Sequence, residues 1–471
     1  MRNLFLMLLL YVATQAGGFS QDSTLHYSAE IKGALASTQT PYLFHTNTYG
    51  VIPTSGSFAL AQASFHKLYN QHNPRFFQWS AGAEFVARAN KSSSVFFTDL
   101  FLAAKAGPVE VSIGQRKEFY GLGDSLLTTG SVAISSNARP YLKIQISTPH
   151  FVNIIPGNDI ISFKFSYSDG LFGPAKSIYG NRITVPETYL HQKSIYLKLG
   201  KKSHILNLFA GFNHQVMWGG EDKIFSGGLK RSEAYGYVVL GKPWAASRVG
   251  NHFGTIDVGV QLQGKSWTTF LYRQSIYEDG SIANVSNITD GLNGLRFKRN
   301  TRQYDSFRLN TILLEYVYTK YQGGDVFDFV TGTFGRDNYF NHYVYSQGWS
   351  YKGRTLGTPL IAPQHLMRGE LRSSPNLFTA NNRLIALHAG IDGSINKVTF
   401  LLKASHSINS GTYNRPFSGS LNQTSLLART EIPLTFMNES HLNLSLGTDF
   451  GHFYPNNTAI LIGWRKSGFI R

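Results

Sequence analysis

From Glu30 onward the chain repeats one pattern to its end: runs of roughly 8 to 13 residues in which apolar and polar side chains alternate, divided by Gly, Pro, Asn, Asp and Ser. In "FFQWSAGAEFVAR", Phe77, Trp79, Ala81, Ala83, Phe85 and Ala87 fall on one face, and Gln78, Ser80, Gly82, Glu84 and Arg88 on the other. In "SHLNLSLGTDFG", Leu442, Leu444, Leu446 and Phe450 oppose His441, Asn443, Ser445 and Asp449. The pattern predicts about 18 strands, without internal repeat, low-complexity tract or domain linker. A period of two means one wet face and one dry face, which a soluble sandwich and a membrane barrel share. Length separates them, because soluble strands average about five or six residues and outer-membrane strands about 9 to 11. Several runs also carry an aromatic near one end of the apolar face (Phe77 with Trp79, Trp267, Trp464), as an interfacial girdle does. In lipid only a closed barrel pairs every strand's backbone groups. The expected fold is therefore all-β, a transmembrane antiparallel β-barrel of about 18 strands with long extracellular loops. A secreted sandwich or propeller is the alternative.

The N-terminus supplies the destination. "MRNLFLMLLLYVATQAGGFSQDS" has Arg2, an apolar run from Leu4 to Ala13 and then small residues, the layout of a secretory signal peptide. Cleavage is expected after Ser20, with Ala16 as second choice, so that 1–20 is the signal and 21–471 one barrel domain. The apolar run falls short of the about 20 residues a spanning helix needs. The chain is thus expected in the outer membrane of a Gram-negative bacterium.

Composition fits this class. There are 46 Gly, 25 Tyr and 34 Phe, and 15% of residues are charged, against about a quarter in soluble proteins. The absence of Cys excludes disulfides, thiolate zinc sites and Cys nucleophiles. Lys and Arg number 44 against 27 Asp and Glu; losing Arg2 with the signal leaves 43, a net +16. Such a surplus attracts anions. At an outer membrane these are lipopolysaccharide phosphates and acidic polysaccharides, and nucleic acid is not an expected partner. The basic residues would serve equally as a lipid-facing rim. "DGLNGLRFKRNTR" concentrates Arg296, Lys298, Arg299 and Arg302.

One stretch imitates an enzyme. "GLGDSLLTTG" spells the motif of the GDSL hydrolases at Gly123 to Leu126, and Asp449 and His452 supply an Asp-x-x-His. That nucleophile needs a strand leading into a helix, and no helical periodicity flanks Ser125. On a strand, Asp449 and His452 point to opposite faces, so neither can orient the other. The 15 His lack zinc-ligand spacing and no His-Glu-x-x-His occurs. No catalytic residue, metal or cofactor is expected.

The same region, "GQRKEFYGLGDSLLTTGSVAISSNARPYLKIQIS", resembles the capsule assembly Wzi family, especially its Bacteroidetes branch. Further stretches agree in order: "PYLFHTNTYG" at 41–50, "HQVMWGG" at 214–220, "LYRQSIYEDGS" at 271–281, "DGLNGL" at 290–295, and "DNYFNHY" with "GWSYKGRTLGTPL" at 337–360. The resemblance implies an outer-membrane barrel acting as a surface lectin, not an enzyme, that retains capsular or other anionic polysaccharide. The enterobacterial type carries a helical plug before the barrel; here the first strand-like run follows the cleavage site almost at once, so the periplasmic end would close differently.

A segment of about 60 residues, 323–382, interrupts the strand series, and long loops are usually functional. It interleaves aromatic and polar side chains suited to stacking on sugar faces and bonding hydroxyls and carboxylates. The candidate carbohydrate contacts are Trp349, Tyr351, Arg354, Arg336, Asp337, Asn338 and Asn341, joined by Arg296 and Arg299 of the basic cluster and by Trp218 and Arg273. The segment reads equally as a plug folded into the lumen. A diffusion channel for small polar nutrients, and after it an outer-membrane hydrolase, are the alternative functions.

Overall fold

The computed structural model describes residues 24–470 apart from 72–74, 178–183, 245–246, 280, 282–284, 301–305 and 329–332. The expected signal peptide and Arg302 lie outside the described residues. Eighteen antiparallel strands form the wall: β1 (Leu25–Ala36), β2 (Phe58–Lys67), β3 (Phe77–Ala89), β4 (Ser94–Ala106), β5 (Val109–Gln115), β6 (Lys143–Ser147 continued by Val152–Ile155), β7 (Asn158–Lys176), β8 (Thr184–Leu199), β9 (Leu206–Trp218), β10 (Asn251–Gln263), β11 (Trp267–Glu278), β12 (Gly291–Arg299), β13 (Phe307–Tyr318), β14 (Leu384–Ile395), β15 (Val398–Gly411), β16 (Pro416–Pro433), β17 (Ser440–Gly451) and β18 (Asn457–Phe469). Both pieces of β6 pair with β7, which makes them one interrupted strand. The barrel closes where β1 meets β18, from His26 opposite Phe469 to Ala36 opposite Ala459. Closure leaves no edge strand, as lipid requires.

Each wall strand keeps the alternation of its sequence. Ile31, Leu35, Leu102 and Ile460 project from the outer wall and are exposed in the isolated chain. In a bilayer their burial contributes roughly 1.5 to 3 kcal/mol per large side chain. Phe77, Trp79, Trp267 and Trp464 lie toward one end of the wall, where chain reversals are short, as between Ala106 and Val109 or Ile395 and Val398. We call this the turn end.

The opposite, loop end carries the long connections 37–57, 116–142, 219–250 and 319–383. They do not stand away from the wall as the expected extracellular loops. Three of them turn inward and meet in one apolar core inside the barrel, which includes Phe44, Leu127, Val132, Tyr339, Phe340, Trp349, Ile361 and Met367. A sequence this aromatic has apolar area to bury, and the wall's inward faces are mostly polar, so the segments bury it on one another. The fourth buries Ile224 in the same core and then folds back over the outside. Its helix α1 (Arg231–Leu240) buries Ala234 and Val238 against Val216, Trp218 and Val249, while Met217, between Val216 and Trp218, points into the main core.

Candidate functional site

The inward-folded segments are bonded to the wall around most of its circumference. Glu315 on β13 accepts the Thr128 hydroxyl at 2.6 Å, the Thr129 amide at 2.7 Å and hydroxyl at 2.8 Å, and the Tyr272 hydroxyl at 2.6 Å. Gln274 on β11 accepts the Val132 amide at 3.1 Å, and Asp449 on β17 accepts the Tyr42 amide at 2.8 Å. His388 on β14 meets the Leu127 carbonyl at 2.7 Å. Between segments, Arg354 donates to the carbonyls of His45 and Ile52, and Trp349 Nε1 donates to the Ala133 carbonyl at 2.7 Å. Each of these buried bonds favours one arrangement, because a lost partner strands a desolvated group.

This placement decides which candidates face outward. Trp349 is 1% exposed, with Phe253 at 5.7 Å from its ring, and so offers no free face to a sugar. Arg354 and Asn341 are likewise buried; the Asn341 side chain exchanges hydrogen bonds with the Thr379 backbone. Asn338 accepts from Asn341 and Asn382. Tyr351 packs edge-on to Tyr141 and tilted on Phe172. Trp218 lies on the outer wall between Tyr189 and Tyr235. Arg273 bonds Asn293 and the carbonyls of Ile288 and Thr289. Arg296 lies 3.7 Å from Asp124 and over the Phe270 ring. Arg299 ends β12 opposite Trp267, at the turn end and far from the rest. Arg336 alone is both exposed and at the mouth, its Nε donating to the Asp325 carbonyl at 2.6 Å.

At the mouth Arg336 has neighbours the sequence reading missed. The Arg383 guanidinium lies 3.8 Å from the Tyr413 ring centroid and its Nε donates to the Lys320 carbonyl at 3.1 Å. The Tyr413 hydroxyl donates to the carbonyl of Tyr321, which is 43% exposed. Gly324 links the group, bonding the Tyr321 carbonyl through its amide and the Arg336 amide through its carbonyl. The result is a platform of Tyr321, Arg336 and Arg383 from the 319–383 connection and Tyr413 from the β15–β16 hairpin. A ring or Arg placed just past the last alternating residue of a strand is the signal that could have found it.

Next to the platform sit carboxyls with few cations. Asn287 Nδ2 donates to Asp337 at 2.5 Å, and burial raises the Asp337 carboxyl, with Asp279 and Asp290 pushing the same way and the Asn287 bond opposing. Burial likewise raises Asp279 to about 6. An acid raised in the folded state keeps its proton where the unfolded chain has lost it, so the folded arrangement loses stability as pH climbs from the ordinary carboxylate range of about 4. Amide exchange at 335–339 and 285–290, corrected for intrinsic rates, should therefore be slower at pH 5 than at pH 8. Asp337→Asn should remove much of that difference; an unchanged pH response would locate its origin elsewhere.

The imitated triad is not assembled. Asp124 accepts the amides of Leu126 and Leu127, Ser125 is exposed, Asp449 accepts the Ser425 hydroxyl and the Tyr42 amide, and His452 faces solvent. Among the described residues no hydrogen bond joins Ser125, Asp449 and His452.

Several solved structures align along nearly the whole chain. Acinetobacter baumannii OccAB4 aligns with a TM-score of 0.48 and 9% identity over 95% of this chain and 99% of its own. Pseudomonas aeruginosa OccK5 (OpdH) aligns with a TM-score of 0.48 and 8% identity over 97% of this chain and 100% of its own. Pseudomonas aeruginosa OccK2 (OpdF), solved in complex with glucuronate, aligns with a TM-score of 0.48 and 8% identity over 96% and 100%. Likeness at this level carries nothing about ligands. No curated protein matches the sequence. The profile of the capsule assembly protein Wzi family matches residues 23–360. With that match over more than half its length, the chain belongs to the capsule assembly protein Wzi family, as an outer-membrane barrel of a Gram-negative cell.

Proposed function

We propose that the barrel retains capsular polysaccharide at the cell surface, as a lectin whose contact surface is the loop-end platform of Tyr321, Tyr413, Arg383 and Arg336. The observation that carries this reading is the stacked Arg383–Tyr413 pair beside exposed Tyr321 and Arg336. Rings offer faces for stacking on sugars, and guanidinium forks bind carboxylates bidentately. The plug supports them from below and keeps the wall ends from moving apart. A diffusion channel would need a path past Trp349, Ile361 and Met367, each 1% exposed or less.

Arg383→Ala combined with Tyr413→Ala removes one charge-assisted contact, worth roughly 1.5 to 3 kcal/mol, and one stacking ring. Since about 1.4 kcal/mol is a factor of ten, retention per chain should fall at least tenfold. The measurement is the ratio of cell-bound to released polysaccharide at equal outer-membrane levels of protein. If the ratio holds while deletion of the whole gene lowers it, the contact surface lies elsewhere. If deletion has no effect either, the lectin reading fails.

A further inference from the structure

Below the plug, the turn-end half of the lumen holds a second feature. A cavity of about 510 Å³ is roofed by Phe44, Val51 and Ile52 and walled by polar side chains of β1, β2, β3 and β16–β18. Its charges mostly cancel in pairs. Lys32 meets Glu30 at 2.8 Å, Lys117 meets Glu84, and Arg465 meets Glu431. Arg429 is left without a direct partner: Glu30 and Glu431, already paired with Lys32 and Arg465, act on it only through space. Among the described residues its guanidinium has no hydrogen-bond or ion-pair partner, and it is exposed although ringed by the wall. Its accessible area faces this cavity, which the roof separates from the loop end. On the neighbouring strand β15, Leu401 stands opposite Arg429, so Lys403 lies two positions further along on the same inward face.

The neutral lining also has free capacity of a defined kind. Gln62 Nε2 donates to Glu84 at 3.2 Å, and Asn443 Nδ2 donates to Glu30 at 3.2 Å. Each amide is thereby oriented, leaving its carbonyl oxygen to accept from a ligand hydroxyl. Ser28, Ser64 and Ser445 add hydroxyls that both donate and accept. An unpaired guanidinium in a restricted cavity calls for an anionic oxygen pair, because Arg presents a planar fork that matches it and its field is less screened there than in bulk water. Oriented acceptors and hydroxyls call for a hydroxyl-rich body on that anion.

We propose that this cavity is a second binding site, reached from the turn end, for an acidic sugar whose carboxylate pairs with Arg429 and whose hydroxyls bond Gln62, Asn443 and the serines. It stands independently of the loop-end platform, since the two lie on opposite sides of the plug and share no residue. In a capsule assembly protein such a site would engage the acidic glycan from the periplasmic side.

The test is titration calorimetry of the purified full-length barrel in detergent with D-glucuronate, D-glucose and inorganic phosphate as probes. Glucuronate should bind at least tenfold tighter than glucose, and Arg429→Gln should weaken it at least tenfold. Ser64→Tyr, which fills the cavity from β2, should weaken it comparably, and heat-modifiable gel migration reports that both variants fold. Equal binding of glucuronate and glucose, or indifference to both variants, overturns the proposal. Phosphate binding as tightly as glucuronate at the same site would reduce it to an anion site and overturn the sugar part. Capsule retention on cells reads the platform instead, through Arg383 and Tyr413, so either site can fail alone.

Discussion

Excising residues 323–381 and joining Gln322 to Asn382 through a short Gly-Ser link should turn a sealed barrel into a conducting one. The ends are already neighbours, since the Gln322 side chain donates to the Asn382 carbonyl at 3.1 Å, so the link spans little distance. The wall should survive, because β13 and β14 pair directly from Tyr318 opposite Ile385 to Phe307 opposite Ile395 and the barrel closes without the loop. What goes is the centre of the plug. Trp349 and Arg354 hold the other two inward segments, at Ala133 and at His45 with Ile52, and their loss leaves those carbonyls unpaired and a large apolar surface uncovered. Burial of a large side chain contributes roughly 1.5 to 3 kcal/mol, and this core has many. Planar-bilayer recordings should change from no resolved current to stable ion-conducting steps. A barrel that stays sealed would mean that 37–57 and 116–142 close the lumen unaided.

Trp349→Ala should weaken the plug more than any substitution at the mouth. Removing a fully buried Trp costs about 3 to 5 kcal/mol, and the Ala133 carbonyl loses its donor. If the plug opens separately from the wall, about 3 kcal/mol raises its open population more than a hundredfold. Limited proteolysis should then cut within 116–142 and 335–382 while strand-derived fragments and heat-modifiable migration stay as in the wild type. Gly348→Ala should act in the same direction. Gly348 has φ of 56°, and an added Cβ would run into the Phe340 carbonyl. Proteolysis that is unchanged in the Trp349 variant would mean that plug and wall unfold only together.

In "GWSYKGRTL" the aromatic and basic residues lie close together, which suits a glycan surface and a polar plug equally. Nothing local separates the two, because the difference lies in what covers the ring: Phe253 from β10, itself packed on Phe340, and a carbonyl from the segment at 133. The same holds for Arg354, whose partners stand at positions 45 and 52. The platform residues were missed for the converse reason. Tyr321, Arg383 and Tyr413 are far apart along the chain, and only the pairing of adjacent strands makes them neighbours.

Strand number, strand face and the girdle were legible in the sequence because each is set by local periodicity. A side chain's membership of the outer or inner face depends on its parity along the strand, so Phe77, Trp79 and Asn443 could be assigned from neighbours two residues away. The resemblance to the capsule family was legible for a similar reason, as ordered short stretches that survive without knowledge of their partners. The direction of the long connections was not. Whether 37–57, 116–142 and 319–383 project outward or fill the lumen depends on apolar contacts between residues more than a hundred positions apart, and whether 219–250 covers the outer wall depends on Ala234 and Val238 finding Val216 and Val249. Likewise the count of charges in the lumen is in the sequence, but which cation remains without a partner is not. Pairing consumes charges by distance and not by composition, and only the closed barrel sets Arg465 on Glu431 while leaving Arg429 facing the cavity.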